Sequence, residues 1–329
     1  MVGSTGDSGS GDSGSSDSGS NDSGSSDSGG SPTVTSVELT WAGVTNWIVQ
    51  YGETAVLLDA FYSRPGLRGA TPDGLDLASR VLAAAGIESL DFVLVGHSHF
   101  DHAIDAGPVA LATGATVIGS QTTCFVAEAQ GLGPDRCRAV VQGDVLRLGE
   151  AEVRVVRTLH SSPATLGAFD VYTSVPPENE VARAPTGGAL SYRFAFGEGG
   201  PSFTYQNSFA AVDGEDGSSE DYRANLVEGG GLTADLWITA IGAGFASAPE
   251  DLQPYLEAIG PRFVIPHHWD GFFASPETGL NGAFTLPSAL APALEGVQLE
   301  APVEYFDRWR LEAGALTKIP SPIQEALGL

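Results

Sequence analysis

Three histidines and one aspartate lie within six residues of this chain, directly after an apolar run over 91–95. The cluster follows Gly96 and reads His97-Ser98-His99-Phe100-Asp101-His102. Neutral imidazole and carboxylate are ligands for zinc, manganese and iron. The alternative is a solvated polar turn, but half of the chain's six histidines are here. The sequence therefore predicts a metal site at the end of a strand.

The remaining histidines also follow strand-like segments. His160 comes after the alternating residues 152–159, and the pair His267 and His268 comes after 262–266. Alone, His160 would be read as a core histidine, but at a strand end after the main cluster it is predicted to be a ligand. His267 is predicted to orient a ligand or to contact substrate.

Strand and helix patterns alternate around these histidines. Period-two or continuous apolar runs predict strands at 36–41, 46–51, 54–59, 91–95, 116–119, 138–142, 152–159, 189–196, 201–205, 236–241 and 262–265. Helical spacing predicts helices at 71–85, 103–113, 122–130, 249–259 and 288–294, with short strands after the last. This order predicts a mixed α/β chain that brings the histidines to sheet edges.

Together, the cluster and the later histidines resemble the metallo-β-lactamase-fold hydrolases over about 35–307. The segment Ile265-Pro266-His267-His268-Trp269-Asp270 is most similar to the subgroup that includes lactone hydrolases and phosphodiesterases. The resemblance implies an α/β (α+β) fold, namely the four-layer αβ/βα sandwich with metal ions at the rim of its two sheets.

The resemblance also implies two metal positions, each held by three side chains. The first set is His97, His99 and His160, and the second is Asp101, His102 and His268. In the segment shared with the family, the spacing from Pro266 favours His268 over His267 as the ligand. One or two Zn²⁺ ions are expected, with Mn²⁺ or Fe²⁺ as alternatives. Asp101 is the implied catalytic residue, since it would hold a metal and orient the attacking water.

One position departs from the family pattern. The family has an aspartate bridging the two metals after a strand, and here Asn207 stands in the matching segment 204–208. An amide oxygen is a weaker, uncharged donor, so the bridge is predicted to be weak or absent and the site more positive. Asp59 matches an acid of the family that supports the metal ligands without catalysing the reaction.

Aromatic residues flank the predicted ligands. Each alone is read as core, but as a group they predict a substrate with an apolar portion. The group consists of Phe61, Tyr62, Phe100, Trp269 and Phe272. A proline-broken segment over 161–188 is predicted to form a substrate lid.

The predicted function is hydrolysis of an ester-type bond, a phosphodiester or a lactone, by metal-activated water. The substrate is expected to be a small molecule, with an anionic group because of the positive site. The alternative is a metal-binding but catalytically inactive homologue. A true β-lactamase is disfavoured, and oxygen or nitric-oxide reduction ranks last because no flavin module is visible.

The composition of the chain limits which partners it can bind. The chain has 329 residues, with 41 Asp and Glu against 15 Lys and Arg and a net charge of −26. Such acidity disfavours nucleic acid and anionic membranes as partners. No apolar run approaches the roughly 18 residues that a transmembrane helix needs. The two cysteines, Cys124 and Cys137, are predicted to form either one disulfide or two ordinary buried thiols.

The first residues have a different composition. Five Asp-containing pentapeptides fill 6–30, so we expect a disordered Gly/Ser/Asp tether over 1–32 and a hydrolase domain over 33–329. The tether resembles those that follow the lipidated cysteine of bacterial lipoproteins. That resemblance predicts an extracytoplasmic protein with a lipid anchor upstream of this sequence, and the alternative is a cytoplasmic protein with a plain tail.

Overall fold

The computed structural model describes residues 34–64, 69–160, 170–209, 231–241, 249–280 and 286–329. The predicted tether over 1–32 and the part of the predicted lid over 161–169 lie outside the described residues. The disorder of the tether and the role of this segment in a lid therefore stay predictions.

Fifteen strands occur in the described ranges. In chain order they are β1 (Ser36–Gly43), β2 (Asn46–Tyr51), β3 (Thr54–Leu58), β4 (Phe92–Leu94), β5 (Thr116–Gly119), β6 (Cys137–Ala139), β7 (Val145–Leu148), β8 (Ala151–Arg157), β9 (Leu190–Ala195), β10 (Ser202–Gln206), β11 (Leu236–Ala240), β12 (Phe263–His267), β13 (Gln298–Leu299), β14 (Arg308–Glu312) and β15 (Ala315–Ile319).

The strands form two mixed sheets. The eight-stranded sheet has the order β15-β14-β1-β2-β3-β4-β5-β6, and the seven-stranded sheet has the order β13-β12-β11-β10-β9-β8-β7. Strands β3 to β6 are parallel to one another, as are β10 to β13. Because the carboxyl ends of parallel strands meet at one edge, residues that follow β3 and β4, or β10 and β12, are brought close together.

Six α-helices occur in the described ranges. They are α1 (Pro72–Ala84), α2 (Phe100–Ala103), α3 (Ala106–Thr113), α4 (Gln121–Ala129), α5 (Gln253–Ile259) and α6 (Pro322–Leu327). Short 3₁₀ helices cover Pro134–Arg136, Glu178–Arg183, Pro249–Leu252, Pro276–Thr278 and Pro287–Ala293. The hydroxyls of Thr71 and Ser120 accept N–H groups at the starts of α1 and α4, as expected for helix caps. Among the described residues, no helix has both the length and the apolarity needed to cross a membrane.

The two sheets pack face to face, with helices outside. Tyrosine hydroxyls cross the interface: Tyr51 donates to the Leu148 carbonyl at 2.8 Å, and Tyr192 donates to the Val95 carbonyl at 2.8 Å. On the outer side of the second sheet, Trp237 stacks on Tyr255 of α5 with ring centroids 5.6 Å apart. The predicted α/β sandwich is confirmed.

A disulfide joins α4 to the edge of the first sheet. Cys124 and Cys137 are bonded, with their Cα atoms 5.5 Å apart. They are the chain's two cysteines, so no free thiol is left. Of the two alternatives that the sequence leaves open, the structure selects the disulfide.

Candidate metal centre

The predicted ligands come from the ends of strands in both sheets. Beyond β4, the chain runs through His97 and His99 into α2, and Asp101 and His102 lie on that short helix. From the other sheet, His160 follows β8 and His268 follows β12. The centre therefore lies at the rim where the two sheets meet.

The six predicted ligands form two groups of three. One group is His97, His99 and His160, and the other is Asp101, His102 and His268. Within each group the ligand atoms lie within 4.8 Å of one another. This spacing and donor set suit a borderline divalent cation in each group. The structure thus brings together all six side chains in the grouping that the resemblance implies.

His97 and His99 face each other through different ring nitrogens. His97 Nε2 lies 3.1 Å from His99 Nδ1, so these two nitrogens face each other. His99 Nε2 lies 3.2 Å from the Thr186 hydroxyl, on the other side of the ring. A metal-binding imidazole needs a partner for its second nitrogen to fix the tautomer, and Thr186 supplies it for His99.

His102 has a buried carboxylate behind it. Its Nδ1 lies 2.6 Å from Asp59 Oδ2 and 2.9 Å from the Thr45 hydroxyl. Its Nε2 faces Asp101 Oδ2 at 3.5 Å. Asp59 therefore lies where the sequence predicts a supporting acid, and it leaves Nε2 of His102 as the nitrogen that faces the second group.

Backbone conformation and backbone hydrogen bonds fix the position of His268. Its φ is +63°, a left-handed conformation that is uncommon for residues other than glycine. The N–H of His268 donates to the Val44 carbonyl at 2.9 Å. The N–H of Val44 in turn donates to Asp270 Oδ1 at 2.8 Å. Imidazole Nε2 of His268 then lies 3.3 Å from Asp101 Oδ2.

Burial and charge set the protonation of these groups. Burial and the neighbouring imidazoles lower the pKa of His97 far below its usual range and that of His160 to about 3. Burial opposes ionisation of Asp101, but His102 and His268 outweigh it and lower the carboxyl pKa. Burial likewise opposes charge on His102, yet Asp101 and Asp59 raise its pKa. The lowered pKa values of His97, His160 and Asp101 favour the neutral imidazoles and ionised carboxylate that bind metal, whereas the raised pKa of His102 favours its protonated form.

The chemistry of the donor set tests the fit. Five imidazoles and one carboxylate lie in two groups, each with its ligand atoms within 4.8 Å of one another. Neutral imidazole and carboxylate are donors that bind borderline divalent cations. The donor set fits one or two divalent cations.

His267 is engaged on both sides of its ring. Nδ1 accepts from the Trp47 indole N–H at 2.9 Å, and Nε2 lies 2.9 Å from the Gln206 carbonyl. Both contacts lie within the sheets, and the side chain is fully buried. His267 therefore ties β12 to β2 and β10, and its influence on the centre runs through the adjacent His268.

The predicted pocket aromatics divide into two sets. Phe61, Tyr62 and Trp269 are buried, the last stacked on Trp41. Phe100 and Phe272 are partly exposed; Phe272 lies 5.2 Å from the His268 ring and 6.0 Å from Phe273, centroid to centroid. Phe273 is 55% exposed and extends this apolar surface beyond the predicted residues.

Sequence reasoning misses several residues that support the centre. They are Thr45, Thr186, Tyr205, Arg64 and Asp270. Tyr205 donates to Asp59 Oδ2 at 2.6 Å, and Arg64 lies 3.3 Å from Asp270 Oδ2. Asp270 lies in the segment 265–270 and Tyr205 in the segment 204–208, both of which the resemblance singles out. A sequence motif could therefore have identified these two residues. No motif marks Thr45, Thr186 or Arg64.

Comparison with known proteins agrees with this geometry. Residues 54–269 match the family model of the beta-lactamase superfamily domain. That match covers more than half of the chain, and the two-sheet fold is the one that the resemblance implies. The protein belongs to the metallo-β-lactamase superfamily.

Among curated relatives, the chain is similar to proteins named UPF0173 metal-dependent hydrolases. The one from Anaeromyxobacter dehalogenans strain 2CP-1 is 28% identical over 263 residues, which is 79% of this chain and 81% of the relative. The one from Heliobacterium modesticaldum is 26% identical over 236 residues, which is 72% of this chain and 84% of the relative. The chain thus falls among the superfamily's metal-dependent hydrolases, as predicted.

Solved structures show the same fold. The metallo-β-lactamase fold protein YhfI from Bacillus subtilis has a TM-score of 0.52 at 14% identity, covering 84% of this chain and 99% of that protein. An isothiocyanate hydrolase from Delia radicum gut bacteria has a TM-score of 0.51 at 13% identity, covering 82% and 98%. CmlA, a diiron β-hydroxylase from Streptomyces venezuelae, has a TM-score of 0.52 at 15% identity, covering 86% and 55%.

Proposed function

We propose that this metal-dependent hydrolase cleaves an ester-type bond, a phosphodiester or a lactone, in a small molecule by means of metal-activated water. The observation that carries the proposal is the pair of three-residue ligand groups, each with its ligand atoms within 4.8 Å. The names of the curated relatives support the reaction class.

Two positions would hold the metal ions. His97, His99 and His160 would hold one, and Asp101, His102 and His268 the other. When bound, the ions supply Lewis acidity and lower the pKa of a coordinated water toward neutrality. Zn²⁺ is the ion we propose first because it suits imidazole and carboxylate ligands, with Mn²⁺ and Fe²⁺ as alternatives.

Asp101 is the residue we assign to proton transfer. His102 and His268 lower the pKa of its carboxyl against the effect of burial, which favours the ionised form. As a carboxylate it can orient the attacking water and accept its proton. Both cysteines are in a disulfide, so neither is available as a nucleophile. Water is therefore the nucleophile we assign.

The charge of the centre supports an anionic substrate group. Two divalent ions would face Asp101 as the carboxylate ligand and Asp59 behind His102, which leaves a net positive site. Beside it, Phe100, Phe272 and Phe273 offer an apolar surface. We infer a substrate that carries a negative charge or polarised ester next to an apolar portion.

Metal analysis with a substrate panel tests the proposal. The full chain would be purified without added metal, analysed for zinc, manganese and iron, and assayed on phosphodiesters, lactones, carboxyl esters and amides. We expect stoichiometric metal and turnover of a phosphodiester or lactone, lost in Asp101→Asn and kept in the surface variant Asp76→Asn. Metal without turnover of any substrate would identify an inactive homologue instead.

A further inference from the structure

Asn207 lies at the end of β10, where the family pattern has a metal-bridging aspartate. The side chain is fully buried, and its Nδ2 atom lies 3.0 Å from Nδ1 of His97. Its Oδ1 atom is buried without a hydrogen-bond partner. The amide packs directly on Gly96, because a Cβ added there would lie 1.6 Å from Nδ2. Asn207 is thus fixed against the side of His97 that faces away from His99.

The tautomer of His97 links this contact to metal binding. A neutral imidazole has one N–H and one lone pair. If the amide NH₂ of Asn207 donates to Nδ1, the proton of His97 must be on Nε2. Nε2 is the nitrogen that faces His99 Nδ1 at 3.1 Å, and with a proton it cannot bind a cation. That arrangement excludes His97 from the metal site.

The opposite amide orientation leaves Nε2 of His97 free to bind a cation. Turning the Asn207 amide by 180° exchanges its oxygen and nitrogen without moving other atoms. Oδ1 then accepts from Nδ1–H of His97 and Nε2 keeps its lone pair, while the NH₂ takes the buried position that has no protein partner. The atom of Asn207 left over is NH₂, which cannot coordinate a cation.

We propose that Asn207 is a positioning residue that fixes the metal-binding tautomer of His97, and that it does not bridge two metals. The inference rests on the proposed metal-dependent function. One amide oxygen cannot both accept the His97 N–H and serve as a bridge, so the two roles exclude each other. The two ions therefore share no Asn207 ligand.

The neighbouring histidines have the same arrangement, which is an independent reason for the assignment. The Thr186 hydroxyl lies 3.2 Å from Nε2 of His99, and Asp59 Oδ2 lies 2.6 Å from Nδ1 of His102. Each acceptor contacts the ring nitrogen that points away from the ligand groups. An amide oxygen on Nδ1 of His97 completes a set in which all three imidazoles of the cluster have an acceptor behind them.

Nitrogen NMR of the histidine rings tests the tautomer directly. The ¹⁵N-labelled, metal-free full chain would be recorded for wild type, Asn207→Asp and Asn207→Ala, with His97→Gln to assign the signal. We expect the proton of His97 on Nδ1 in wild type and Asn207→Asp, and a mixture of tautomers in Asn207→Ala. A wild-type protein with the proton on Nε2, or an Asn207→Ala protein with unchanged tautomers, overturns the proposal.

Chelator competition separates positioning from bridging. We expect Asn207→Ala to weaken binding of the ion at the group that contains His97 by about 10–100-fold. The number of ions bound at saturation should stay the same. Thr186→Val is the matched variant, because it removes the corresponding acceptor from His99. Complete loss of one equivalent in Asn207→Ala overturns the proposal. A wild type without metal affinity defeats the proposed function, whereas the tautomer of the metal-free protein still decides the role of Asn207.

Discussion

Asp59 accepts three hydrogen bonds, each from a different part of the metal centre. They come from the Gly96 backbone N–H, His102 Nδ1 and the Tyr205 hydroxyl, all at 2.6 Å. The residue has a φ of +49°, which turns the chain sharply at the end of β3. Hydrogen bonds to an ionised carboxylate are stronger than neutral ones, so this single side chain orients the start of the ligand cluster.

Asp59→Asn is expected to weaken metal binding at the group that contains His102. The amide supplies one acceptor oxygen and places an NH₂ toward groups that themselves donate. We expect an affinity loss of about 10–100-fold, measured by chelator competition. Asp91→Asn is the control, because Asp91 also accepts a backbone N–H, from Ala55, at the other end of β3. Equal metal affinity in the two variants would contradict the assigned role of Asp59.

At the scale of elements, a buried ion pair joins three segments behind His268. Asp270 accepts from the Val44 N–H and from the Tyr305 hydroxyl, each at 2.8 Å, and pairs with Arg64 at 3.3 Å. Arg64 and Asp270 have no exposed side-chain surface. The β1–β2 turn, the segment after β3 and the segment before β14 are thus fixed around one carboxylate. This network sets the backbone conformation that presents His268.

Asp270→Ala is expected to lower the free energy of unfolding by about 3–5 kcal/mol, because it leaves the Arg64 charge buried and unpaired. Urea denaturation measures the loss. Asp76→Ala breaks the exposed pair between Asp76 and Arg80 and is expected to change stability little. Arg64→Met with Asp270→Asn should recover part of the loss, because the buried charges are removed together. Comparable stability of Asp270→Ala and Asp76→Ala would show that the network is not a stabilising unit.

Local sequence patterns predict most elements but not the contacts that interrupt them. Residues 46–51 form β2 with the predicted bounds. The sequence predicts one helix over 103–113, whereas the structure has α2 and α3 with a break at Asp105. The Asp105 carboxylate accepts the backbone N–H groups of Tyr62 and Ser63 at 2.6 and 2.8 Å, which lie far away in sequence. The short strand β7 is not predicted, because four alternating residues between turns give a weak signal.

The candidate site could likewise be predicted only in part from the sequence. Residue types and spacing are sufficient to propose the six ligands, since imidazoles are few and follow predicted strands. The supporting groups Thr45, Thr186 and Arg64 come from distant segments and are common residue types. Only the packing of the two sheets places them near the histidines.

The disulfide is the covalent link between two elements, and we expect it to stabilise the first sheet's edge. Cys124 and Cys137 close a loop with a sequence separation of 13. In a chain-entropy model a loop of about 15 residues contributes about 3 kcal/mol. Replacing both cysteines by serine should therefore lower the free energy of unfolding by about this amount. A thiol assay of the unfolded, unreduced protein should find no free thiol; two reactive thiols would contradict the disulfide.

At the scale of the whole molecule, the candidate metal centre joins the two sheets. His97, His99, Asp101 and His102 follow β4 of the first sheet, whereas His160 and His268 follow strands of the second. An ion in either group would have ligands from both sheets. Because the unfolded chain cannot hold these six side chains together, metal binding must favour the folded state.

Metal removal is therefore expected to destabilise the protein as a whole. A ligand that binds only the folded state adds about 2.7 kcal/mol at a free concentration 100 times its Kd. Urea denaturation of the metal-loaded and chelator-treated protein should differ by roughly this amount at that excess of zinc. In the double variant His160→Ala/His268→Ala, each group loses its ligand from the second sheet. The difference in free energy of unfolding between the metal-loaded and chelator-treated forms should therefore shrink sharply. If wild type unfolds at the same urea concentration with and without bound metal, the centre does not couple the two sheets.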